Sequence, residues 1–151
     1  MAKVAVSNSS PIIVLRTAGR LDLMETVFDS ILVPEEVAAE VRIMPERLVE
    51  VRRVLNRSLL NQLAIQMDLG EAAAVALAVE TPRATVILDD RKGRRAARQL
   101  DLAVVGTIGL VIEAKLTGRI RSAREVIDSL LAAGMFASRS VIDRALFEAG
   151  E

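Results

Sequence analysis

The sequence predicts a parallel α/β fold, on three observations. Short β-branched runs alternate with longer stretches of helical period, the βαβα signature of a doubly wound parallel sheet. The composition is 52% apolar and only 2% aromatic, so the core must be built from Leu, Val, Ile and Ala, which suits strands covered on both faces by helices. The length of 151 residues fits one domain, 1–151, with a single buried core.

"KVAV" (3–6) reads as the first strand and stops abruptly on "SNSSP". Asn and Ser bond nearby backbone, and Pro11 pre-sets φ for a helix over 11–17; the same residues equally deliver amide and hydroxyl groups to a site. A helix over 20–29 leads into the strand "ILV" (31–33), and Pro34 opens a helix over 34–42. Between 43 and 66 the pattern is interrupted by Pro45 and the basic "VRRVLNR". The spacing there predicts a helix over 45–56, a candidate mobile arm. "LGEAAAVALAV" predicts a helix over 70–80, "TVIL" (85–88) a strand, and "RKGRRAARQL" a helix over 91–100. The strand "LAVV" (102–105) follows, then helices over 107–117, 122–133 and 139–149.

Composition excludes several chemistries. Twenty basic residues balance twenty acidic ones, so any polyanion recognition must come from a local patch. The chain has no Cys and no His, which removes disulfides, thiol catalysis, Ser-His and Cys-His triads and His-ligated metals. Carboxylates, hydroxyls, amides, Lys and Arg are left. No apolar run is long enough to span a bilayer and no signal-peptide pattern opens the chain. The expectation is a soluble cytoplasmic protein without a membrane partner.

In parallel α/β sheets the ligand site lies beyond the carboxyl ends of the strands. There the sequence places Asn8, Ser9 and Ser10, then Glu35 and Glu36, then Asp89 and Asp90, then Gly106 and Thr107. Oxygen-only donors suit a hard cation such as Mg²⁺ or Mn²⁺. Asp89 and Asp90 would both be ionised at neutral pH, which is costly without a cation, solvent or the following arginines; alternatively one caps the next helix and the other complements its dipole. Asp68 and Glu71 have the spacing of a capping box, which would account for the glutamate by itself. Glu36 and Glu40 lie one helical turn apart, on a face that water alone could cover. In "DDRKGRRAAR", Arg91, Arg94 or Arg95, and Arg98 fall on one helical face next to the acids, where they either hold a polyanion or face water.

Taken together, "VSNSSPIIVL", "ILVPEEVAAEV", "LGEAAAVALA" and "ILDDRKGRRAARQLDLAVVGTIGLVIEAKLTG" follow an order and spacing that resembles the PIN-domain superfamily, in its branch of nucleic-acid-binding proteins and toxins of toxin–antitoxin pairs. The resemblance covers nearly the whole chain. It implies a three-layer sandwich with a central parallel sheet flanked by helices, and Mg²⁺- or Mn²⁺-dependent cleavage of RNA phosphodiesters by in-line attack of water. It places the ligand carboxylates on Glu40, Glu71 and Asp90, with Asp89 as the neighbouring alternative. Asn8 and Ser10 would steady the phosphate, and Arg91, Arg94, Arg95 and Arg98 would supply the RNA-binding field. The chain departs from the pattern at Asn8, where active members carry Asp, and at Thr107, where some carry a further acid. A small cognate antitoxin is the implied protein partner, and the apolar Ala and Leu faces of the later helices separately suggest a homodimer. Two other readings stay open: a PIN-like module that binds nucleic acid or protein without cutting, and a phospho-acceptor domain built on Asp89 and Asp90.

Overall fold

The computed structural model describes residues 2–42 and 49–151. Five strands form one all-parallel sheet: β1 (Val4–Ser7), β2 (Ser30–Pro34), β3 (Val49–Arg52), β4 (Thr85–Ile87) and β5 (Ala103–Val105), in the order β3-β2-β1-β4-β5. Ala5 of β1 pairs with Ile31 on one side and Thr85 on the other, and Thr85 pairs with Ala103. The described helices are α1 (Ser9–Thr17), α2 (Asp22–Val27), α3 (Glu35–Val41), α4 (Arg57–Leu63), α5 (Leu69–Val79), α6 (Arg91–Gln99), α7 (Thr107–Leu116), α8 (Ala123–Ala132) and α9 (Arg139–Glu148). The three-layer parallel sandwich expected from the sequence is the architecture found.

Strand periodicity divides the core in two. Ala5, Ile31, Val33 and Ile87 point into one cluster, shared with α1, α2, α3, α7, α8 and α9. Val6, Leu32, Val86 and Leu88 point into the other, under α4, α5 and α6. Side chains of odd and even number take opposite faces because successive Cβ atoms alternate across a strand. In α5 every residue from Ala72 to Ala78 is buried. Its alanines favour the helix and let it lie close against the sheet, as a helix apolar all round requires.

The helix expected over 45–56 is a correction. Residues 49–52 form β3, pairing with β2 from Ile31↔Val49 to Pro34↔Arg52, and the next helix is α4, from Arg57. The part of that expectation on 45–48 lies outside the described residues. Val49 and Val51 do alternate with Glu50 and Arg52, but Val51 is largely exposed on this edge strand. Apolar residues at 48, 49, 51, 54 and 55 also satisfy a helical period, so a short edge strand was open to misreading. No helix among the described residues is long and apolar enough to cross a membrane.

Candidate metal and phosphodiester site

The strand order reverses about β1, so the carboxyl ends of β1 and β4 form the switch point at which open α/β sheets bind ligands. Two backbone bonds extend the ladder there: the Asn8 N–H donates to Ile87 O (3.1 Å) and the Leu88 N–H to Val105 O (3.0 Å). The side chains that follow inherit the strand's alternation, and this separates the two aspartates.

Asp89 has the parity of Ile87 and turns to the α7 side. Thr107 donates to it from its backbone N–H (2.7 Å) and its hydroxyl (2.6 Å), so Asp89 closes the start of α7. Asp90 has the parity of Leu88 and turns to the α5 and α6 side, where it accepts from the Gly93 N–H (3.1 Å) as N-cap of α6. Asp90 therefore fills the capping role considered from the sequence, whereas Asp89 serves the start of α7 and not the dipole of α6. Asp90, and not Asp89, lines the neighbouring acidic cleft.

Glu71 stands opposite Asp90. The Asp68 carboxylate accepts from the Glu71 N–H (2.9 Å), as a capping aspartate should. The Glu71 carboxyl is half-buried and one of its oxygens comes within 3.6 Å of the place a Cβ on Gly93 would occupy. Burial, followed by hydrogen bonding and repulsion from Asp68 and Asp90, pushes its pKa from 4.5 up to about 8. A carboxyl that holds its proton past neutrality beside two other acids marks this cleft as a candidate functional site. With Arg91, Lys92 and the 65–67 segment, these acids line an open cleft of about 630 Å³.

Glu40 is brought to the same edge from α3. Buried Ser9 donates to it (2.7 Å), and its carboxyl lies across Gly70 so closely that a Cβ there would stand 2.5 Å from Oε1. Glu36, one turn earlier, bonds Arg57 instead (3.2 Å). Asn8 is 4% exposed and its Oδ1 has no hydrogen-bond partner among the described residues. An unpartnered buried carbonyl oxygen costs about 1–3 kcal/mol, and it sits at the switch point where a ligand would relieve that cost.

Of the residues singled out from the sequence, Glu71 and Asp90 share one cleft. Glu40 and Asn8 stand at the same sheet edge, Asp89 is committed to α7, and Ser10 is exposed. Arg94 departs from its neighbours: its guanidinium stands over Gly106, beside Asp89. Arg91 faces the acid cleft, Arg95 lines an adjoining groove and Arg98 is exposed. Sequence reasoning did not assign Ser9 as the residue that holds Glu40, or Asp68 as the third carboxylate; strand parity was the signal available for the aspartates, and nothing equivalent marked Ser9 over Ser10.

The donor types fit a hard divalent cation, being all oxygen with one buried amide oxygen unpartnered. Among the described residues no three acids are gathered about a single point. A family model described as a PIN domain, DUF3368, matches residues 4–151. No curated protein and no solved structure matches the chain.

Proposed function

Because the chain belongs to the PIN-domain family, a nuclease-type fold, we propose that it is a Mg²⁺- or Mn²⁺-dependent ribonuclease that acts as the toxin of a toxin–antitoxin pair. The observation that carries the catalytic reading is the open cleft at the carboxyl edge of a parallel sheet, which Asp68, Glu71 and Asp90 line together with Arg91 and Lys92. Glu71 and Asp90 would hold the cation, with Asn8 Oδ1 as a neutral donor. In the metal-free protein the proton on the Glu71 carboxyl removes one charge from the cluster, so the acids can coexist until a cation takes its place. Ser9 fixes the Glu40 carboxylate, which orients water toward the scissile phosphate. A divalent cation bound here supplies Lewis acidity to the phosphodiester and lowers the pKa of water. Arg91 and Lys92, on the cleft wall, draw the RNA backbone to the acids.

The partner of such a toxin is a small protein that covers the acidic cleft, and the apolar Ala and Leu faces of the later helices would seat a second copy in a homodimer. Asn8, standing where active members carry Asp, specifically favours a second reading, a PIN-like module that binds RNA with little or no cutting. Cleavage of RNA with Mn²⁺, with Mg²⁺ and with chelator decides between them. Cleavage should require the metal and fall by at least a hundredfold in Asp90→Ala, the order expected when a principal charge stabiliser is lost. Metal-independent cleavage, or cleavage undiminished in Asp90→Ala, would overturn the proposal; RNA binding without cleavage would establish the second reading.

A further inference from the structure

Beyond the acids, the cleft continues into a second groove of about 570 Å³, lined by Ile65, Gln66, Met67, Lys92, Arg95 and Gln99 among others. Four of these residues, Ile65, Gln66, Met67 and Lys92, also line the acid cleft, so the two are one continuous channel along α6. Lys92 and Arg95 are one helical turn apart on the same wall, and among the described residues neither has an ion-pair partner. The first turn of α6 carries no acid. The 65–67 segment offers one exposed apolar surface, Ile65, 85% exposed, while Met67 is buried. Gln66 and Gln99 add two amides, each with donors and an acceptor. From Asp90 to Gln99 the helix axis runs about 13 Å at 1.5 Å per residue, room for more than one nucleotide.

We infer that this groove is a flanking subsite for single-stranded RNA, in which Lys92 and Arg95 hold backbone phosphates next to the scissile one while a base lies against Ile65 and offers its edge to Gln66 or Gln99. The chemistry is that of a single-strand channel: cations track the backbone along one wall, and an apolar surface takes the bases along the other. A duplex presents its bases inward and would leave the apolar surface unused. The strand leaves the acids along the α6 and 65–67 side, away from Arg94, which is turned toward Asp89 and Gly106.

This inference rests on the nucleic-acid reading above, and its test separates the two. Binding of a labelled oligouridylate is followed by anisotropy over a salt series, without divalent metal so that no strand is cut. Lys92→Ala/Arg95→Ala should bind about tenfold more weakly than the parent and lose about 1.4 from the slope of log affinity against log salt, two contacts at about 0.7 each. Arg119→Ala/Arg121→Ala removes the same charge after α7, at the opposite end of the sheet, and should leave both quantities near the parent's. A uridine dinucleotide, too short to fill both grooves, should compete equally well against the parent and Arg95→Ala, because Arg95 lines the second groove and not the acid cleft. If the parent binds the strand but the Lys92/Arg95 variant matches it, or loses no more than the Arg119/Arg121 variant, the subsite is overturned and the nuclease reading stands. If the parent binds no RNA, the subsite falls, and the metal-dependent cleavage assay alone decides the nuclease reading.

Discussion

Glu71 titrates late because its burial, and then Asp68 and Asp90, penalise its charge, and that has a measurable sign. Between the ordinary value of 4.5 and the folded value of about 8, the folded chain holds one proton more than the unfolded chain. Its contribution is therefore fully present below about pH 4.5 and is lost as pH rises through about 8. Glu71→Gln cannot titrate, so its metal-free melting temperature should decline less than the parent's from pH 5 to pH 9. Parallel declines in the two proteins would show that the cluster is not coupled as described. Asn8 offers the complementary experiment. Asn8→Asp adds charge at a buried, unpartnered oxygen, so the metal-free protein should lose about 1–3 kcal/mol and regain it on adding Mn²⁺, which would also bind more tightly. Equal Mn²⁺-induced melting shifts in the parent and Asn8→Asp would remove Asn8 from the site. The residue-level logic was partly legible beforehand: the strand-end acids stood in the sequence, and extending strand parity three residues past β4 separates Asp89 from Asp90. The Ser9–Glu40 bond depends on how α1 meets α3, which no local pattern encodes.

At the scale of elements, the N-terminal turn of α5 shows a site requirement set against helix stability. Gly70 costs the helix up to about 1 kcal/mol relative to alanine, and its missing Cβ is where the Glu40 carboxyl lies. Because Glu40 is an exposed, flexible side chain, Gly70→Ala can displace it cheaply. The denaturation midpoint should stay level or rise, with a change within about 1 kcal/mol, while metal-dependent cleavage falls as far as in Glu40→Gln. Parent-level cleavage in Gly70→Ala would mean that the position of Glu40 is immaterial. Helices with caps and a clear period, α5 through α9, were readable to within a residue or two because side chains such as Asp68, Asp90, Ser122 and Ser138 cap them. β3 was not readable: an exposed edge strand of four residues has too few core contacts to force its periodicity on the sequence.

The whole molecule assembles the site from segments far apart in the chain. β1 and β4 are neighbours only because the chain crosses over between β3 and β4, and α3, α5 and α6 reach the same sheet edge from separate connections. A cation held by groups from these segments would bind the folded chain and not the unfolded one, since the donors disperse on unfolding. Mass action then predicts stabilisation of about 2.7 kcal/mol at a hundred times the dissociation constant. For a chain of this size, about 2–4 °C per kcal/mol makes that a rise of roughly 5–10 °C in melting temperature. The same Mn²⁺ concentration should raise Asp90→Asn and Glu71→Gln by much less. Asp89→Asn, which perturbs the α7 cap and not the acid cleft, should melt lower without metal but keep most of the Mn²⁺-induced rise. This contrast separates ligand from cap at two adjacent residues that the sequence could not rank on charge alone. Calorimetric melts of the four proteins, with and without Mn²⁺, check it: a loss of the shift in Asp89→Asn equal to that in Asp90→Asn would put both aspartates in the site and undo the assignment by parity.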